Sequence, residues 1–97
     1  MPVDRSLTSN VSAGTTVVRD RRTHLAGFTA LNRNTSGVTV IFSDSAHSAV
    51  TGTKRLFTVL YPGAKEFILP YKLTFTQGLR AVVKATSGVT LDLHLVT

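Results

Sequence analysis

Residues 89–95 alternate without a break. Val89, Leu91, Leu93 and Leu95 fall on one side of an extended chain, and Thr90, Asp92 and His94 on the other. Successive side chains of a strand point to opposite faces of its sheet, so a strict period of two marks a half-buried strand. Residues 79–85 repeat the pattern, with Leu79, Ala81, Val83 and Ala85 inward and Arg80 and Lys84 outward. The intervening Thr86-Ser87-Gly88 has turn chemistry, which predicts that these two strands form a hairpin. A shorter strand is expected at residues 38–42, with Val38, Val40 and Phe42 on one face. Residues 56–61 are apolar on both faces, a pattern for the middle of a sheet or for a site beneath a neighbouring subunit. Less regular alternation places further strands at residues 15–18, 24–31, 65–69 and 71–75.

The residue types agree with this reading. Thr and Val recur throughout, and their β-branching suits a pleated surface better than a helix. Good helix formers are scarce: Glu66, Met1 and Gln77 are the single examples of their types. Turn residues break the chain at 12–14, 34–37, 43–45, 51–52, 62–63, 77–78 and 87–88. About eight short antiparallel strands are therefore expected in one all-β sandwich of jelly-roll or Greek-key type, spanning residues 13–97. Pro62 and Pro70 cannot donate to a ladder and belong at strand ends or edges. Residues 1–12 are polar with isolated apolar positions and read as an extended arm that orders on a partner.

Several function classes are disfavoured. The chain has 97 residues, which suffices for one core, and no cysteine, so it has no disulfide framework or thiolate chemistry. No apolar run approaches the roughly 20 residues that span a bilayer as a helix, and the polar opening Met1-Pro2-Val3-Asp4-Arg5 is not the pattern of a secretory signal. Ser43, Asp44, Ser45 and His47 contain the residue types of a catalytic triad. A triad, however, needs its members placed by separate rigid elements around an oxyanion hole, and a polar turn is the ordinary reading. His24, His47 and His94 lack metal-ligand spacing, and no glycine series forms a phosphate-binding or dinucleotide loop. The expectation is a protein without catalytic activity, cofactor, metal or small-molecule substrate.

Charge is the compositional feature that asks for a partner. Eleven Lys and Arg against five Asp and Glu leave +6. Arg19-Asp20-Arg21-Arg22 is the densest run and Lys54-Arg55 the second. Three readings compete: a solvated loop, an acidic protein surface, and nucleic acid. The last would call for aromatic platforms among the basic residues, and the seven aromatics read as core or edge positions. Nucleic acid is therefore not the favoured partner.

The order of segments adds a resemblance. Gly37-Val38-Thr39-Val40-Ile41-Phe42-Ser43-Asp44 precedes Thr51-Gly52-Thr53 and the apolar strand at 56–61. Pro62-Gly63, then Phe75-Thr76-Gln77-Gly78-Leu79-Arg80-Ala81-Val82-Val83, then Ser87-Gly88-Val89-Thr90-Leu91-Asp92-Leu93 complete it. Over residues 13–97 this resembles small virion proteins of tailed bacteriophages, whose final strand pair closes a β-sandwich. The resemblance implies a structural role on the virion, first as a capsid decoration (cement) protein on the major capsid protein. A tail, neck or head-fibre subunit is the alternative within that class, and a small basic nucleic-acid-binding domain the alternative outside it. It implies localisation to the capsid surface, with passage through the host cytoplasm during assembly, and a homo-oligomer, a trimer being favoured. The residues expected to touch partners are Val3, Arg5 and Leu7 on the arm, Arg19, Arg21, Arg22, Lys54 and Arg55 in the basic runs, and Phe57 and Tyr61.

Overall fold

Eight strands form among the described residues of the computed structural model, which covers residues 6–96, with side chains from Ser12 onward. They are β1 (Ser6–Val11), β2 (Gly14–Arg19), β3 (Thr23–Asn32), β4 (Val38–Asp44), β5 (Thr53–Leu60), β6 (Gly63–Phe75), β7 (Leu79–Val83) and β8 (Val89–Val96). One sheet has the order β1-β8-β3-β6 and the other β2-β7-β4-β5. The antiparallel pairs are nested: β4 with β5, β3 with β6, β2 with β7 and β1 with β8. The chain is thus one long hairpin, bent at the β4–β5 connection and rolled up so that successive pairs alternate between sheets. Lateral pairs β3 with β8 and β4 with β7 close each sheet. This is the jelly roll, an all-β sandwich.

Period-two alternation sets the core. Leu25, Phe28, Leu91, Leu93 and Leu95 point inward from one sheet, and Val40, Phe42, Leu79, Ala81 and Val83 from the other. Phe28 meets Phe42 edge-on across the sandwich, with ring centroids 5.3 Å apart, and stacks on Phe67 of the neighbouring strand at 4.6 Å. A polar clamp ties the sheets at one end. Buried Asn32 of β3 donates through Nδ2 to the Leu60 carbonyl of β5 at 2.8 Å and to the Ser36 carbonyl at 3.1 Å. Its Oδ1 accepts from Asn34 N–H.

Four sequence expectations need correction or completion. Strands β7 and β8 do not pair with each other. They lie in different sheets, and residues 84–88 cross between them, because β2 and β4 flank β7 while β1 and β3 flank β8. Residues 65–69 and 71–75 belong to one strand, β6. Its Leu69, Pro70, Tyr71 and Lys72 bulge opposite Ala26 of β3, a shift of register that lets an edge strand carry the donor-less Pro70 and resume pairing on both sides. Residues 56–61 do not occupy the middle of a sheet: β5 is an edge strand, and its apolar outer side faces solvent. Of residues 1–12, Ser6–Val11 run as a strand along the outer edge of β8, while Met1–Arg5 lie outside the described residues.

Phe28 touches both inner faces, so truncating it leaves a cavity on each side. Phe28→Ala is expected to lower unfolding free energy by about 3–5 kcal/mol, read from urea denaturation with an unchanged m-value.

Candidate functional site: a basic end beside an aromatic wall

The ends of four strands align at one end of the second sheet. Arg19 of β2 lies opposite Leu79 of β7, Leu79 opposite Asp44 of β4, and Asp44 opposite Thr53 of β5. This register brings the two basic runs, 34 positions apart by sequence number (Arg21 to Arg55), to the same end of the molecule. They sit on opposite edges of that sheet, about 14 Å apart at ordinary strand spacing. Arg21 and Arg22 are exposed in the β2–β3 turn, and Arg19 is half-buried. Asp20 offsets little of this charge: its 3.4 Å contact with Arg21 Nε joins two solvent-exposed side chains. Lys54 and Arg55 are exposed at the start of β5, and Arg55 Nε donates to the Thr74 carbonyl of β6 at 3.2 Å. Arg80 of β7 lies between the two runs and donates to the Ser48 carbonyl at 2.9 Å. Alternation alone places Arg80 outward on its strand; its place in this row is set by the register of β7.

Asp44 builds this end. Its carboxylate accepts from Thr76 N–H at 3.0 Å, Thr76 Oγ1 at 2.8 Å, Gln77 N–H at 2.7 Å and Gly78 N–H at 3.3 Å. Partial desolvation pushes its pKa up, but the hydrogen bonds from Gln77, Thr76 and Gly78 outweigh that and hold it below the ordinary carboxylate value. Gly78 fits because it has no side chain: a Cβ there would fall on the Arg19 carbonyl. Within the polar turn, Ser45 Oγ donates to the His47 carbonyl and accepts from His47 N–H. The Asp44 carboxylate is thus committed to the β6–β7 turn, and the Ser45 hydroxyl to backbone. His24 Nδ1 lies 2.9 Å from Thr74 Oγ1, and no three metal-ligating side chains gather among the described residues.

The wall next to the basic end is apolar. Edge strands β5 and β6 lie side by side, one from each sheet, joined by a short turn at residues 61–62. Four large apolar side chains are exposed along this edge but on different sides of it: Phe57 (59%) projects from the outer face of the second sheet, Ile68 (78%) from that of the first, and Tyr61 (76%) and Tyr71 (85%) lie at the turn and in the β6 bulge. Residues 58–65 and Phe67 line a groove of about 320 Å³ at the turn, and Lys65 Nζ lies 5.6 Å from the Phe67 ring centroid. Of the residues expected at partner contacts, Arg19, Arg21, Arg22, Lys54 and Arg55 share the basic end, while Phe57 lies midway along β5 and Tyr61 in the turn beyond it. Leu7 lies on β1 opposite Leu95 by backbone register, and Val3 and Arg5 fall outside the described residues. Ile68 and Tyr71 were missed in sequence. Pro70 inside an apolar run was the available signal, since it marks a bulge that turns its neighbours outward.

No protein-family model matches the chain, and no curated protein matches its sequence.

Because Asp44 has a depressed folded pKa, its contribution is complete above the unfolded value near 3.9 and is lost as pH falls through the folded value. Asp44→Asn is expected to cost about 1–3 kcal/mol at pH 7, with the gap to wild type closing below about pH 4. Urea denaturation at stepped pH measures both.

Proposed function

We propose that this protein is a bacteriophage virion structural protein, a decoration subunit that binds and stabilises a shell of major capsid protein. The observation that carries the reading is the set of large apolar side chains exposed along edge strands β5 and β6 and their turn, Phe57, Tyr61, Ile68 and Tyr71, on a molecule with a cationic end. Exposed apolar patches flanked by charge are typical of surfaces that a larger assembly covers, and buried aromatics with Arg at the margin dominate such contacts. The resemblance of residues 13–97 to small virion proteins supplies the class of assembly. A rigid jelly roll suits that work, because it holds most of its contact residues on strands and the rest in short turns between them. A decoration subunit that binds only the assembled shell stabilises it by mass action. In this reading Arg19, Arg21, Arg22, Lys54 and Arg55 steer the subunit onto an acidic surface and fix its orientation, while the wall holds it there. The subunits act as a homo-oligomer, a trimer being favoured.

One observation favours a second reading, a nucleic-acid-binding domain. Phe57 follows Lys54 and Arg55 along β5, Tyr61 borders the same groove as Lys65, and aromatic platforms among cations suit single strands.

Two measurements decide between them. Mass spectrometry of gradient-purified particles should find this chain in a fixed ratio to the major capsid protein. Its absence from particles removes the virion reading, and a tail-like copy number moves it from the head to the tail, neck or fibre. Reversing Arg19, Arg21 and Arg22 to Glu should reduce occupancy on particles, most clearly at low salt. Equal occupancy of the variant at low and high salt would leave that run as a solvated loop. Binding of a single-stranded oligonucleotide that weakens log-linearly with salt would establish the second reading.

A further inference from the structure

Arg19 stands apart from the other cations of the basic end. A shift of register between Val17 and Arg19 sets it opposite Leu79, a fully buried core residue. Paired residues share a face, so its stem turns toward the core beside Val18. The residue is half-buried, and its Nε is buried with no hydrogen-bond partner among the described residues. Arg21, Arg55 and Arg80 each donate through Nε to an acceptor of the chain. Beyond the turn, Thr23 opens β3 opposite Phe75, and its Oγ1 is also buried without a partner. Neither carboxylate of this end is left to serve these donors. Asp20 contacts Arg21, and Asp44 is committed to the turn at residues 76–78. That turn also fixes the Arg19 backbone, because Gly78 lies so close to its carbonyl that a Cβ would fall on it.

We propose that Arg19 is the receptor for one carboxylate of the partner protein, which supplies the acceptor that this end of the core lacks. A guanidinium takes a carboxylate through two parallel N–H bonds, and a half-buried stem loses little freedom when they form. Buried donors without acceptors are costly in the free chain, and the incoming oxygens relieve that cost. Arg19 is reached from solvent where the chain enters the exposed turn of Asp20, Arg21 and Arg22. Arg21 and Arg22, exposed and hydrated, steer at longer range, whereas Arg19 sets how long the complex lasts. A carboxylate suits the place better than a nucleic-acid phosphate, because the turns at 20–22 and 76–78 carry no aromatic on which a base could stack. This deepens the acidic-surface part of the proposed function and rests on it, whichever larger body carries that surface.

The test uses the full chain with poly-L-glutamate as the probe, and circular dichroism verifies that each variant is folded. In nitrogen-15 spectra, poly-L-glutamate should move the Arg19 Nε–H resonance more than those of Arg21 and Arg22. Arg19→Lys keeps the charge and loses the planar fork. It should leave immobilised poly-L-glutamate about 10-fold faster than wild type, at an unchanged association rate. The double variant Arg21→Gln, Arg22→Gln should do the reverse, associating more slowly and dissociating like wild type. A stationary Arg19 resonance at saturation, or equal dissociation of Arg19→Lys and wild type, would overturn the proposal while leaving an acidic partner in place. Absence of poly-L-glutamate binding at low salt would overturn both. Tighter Arg19-dependent binding of an oligothymidylate of equal charge would assign the site to phosphate and also overturn it. No capsid enters the experiment, so the particle measurement tests the virion reading separately.

Discussion

Nested antiparallel pairing governs this molecule. Once β4 and β5 form their ladder, β3 and β6 are brought together next, then β2 and β7, then β1 and β8. Rolling that ribbon puts alternate pairs in different sheets, because a half-apolar ribbon can hide its apolar face only against itself. Phe28 on Phe42 is where the two inner faces meet most tightly. The ends of the roll leave backbone groups that the ladders cannot satisfy, and two polar side chains serve them. Asn32 does so at the β3–β4 end and Asp44 at the β6–β7 end. Both are polar residues next to apolar runs, and each satisfies groups from an element distant in sequence.

The same topology distributes charge and exposed apolar surface. It gathers two distant basic runs at one end and sets edge strands β5 and β6 side by side. A bulge at Pro70 releases Tyr71 into solvent while Phe67 and Leu73 stay packed on the core. Rigid strands thereby present aromatic anchors near cations, an arrangement suited to docking on a larger body. The proposed roles differ only in which body that is.

Much of the fold was readable because alternation is local. Residues 79–83 and 89–95 each declare an inner and an outer face within a few positions, and the structure assigns those faces as expected. The hairpin between them was not readable in the same way. Thr86-Ser87-Gly88 is turn chemistry in either case, and what separates a hairpin from a crossing between sheets is the competition of β2, β4, β1 and β3 for the same edges. The double-faced apolarity of residues 56–61 was detected, but a single strand cannot say whether its second face meets another strand or an interface.

The sequence by itself determined the class of structure, the inward residues of most strands and the positions of most turns, the β2–β3 turn at residues 20–22 excepted. These depend on side-chain alternation and on the backbone preferences of Gly, Pro and Thr, which act over a few residues. Tertiary structure alone decided the nested order and the meeting of Arg19 and Arg21 with Lys54 and Arg55 at one end. It also decided the role of Asp44, whose partners lie more than thirty positions away. Strand register is a long-range choice, fixed by burying the whole apolar face at once, and a shift of one residue would reverse every face.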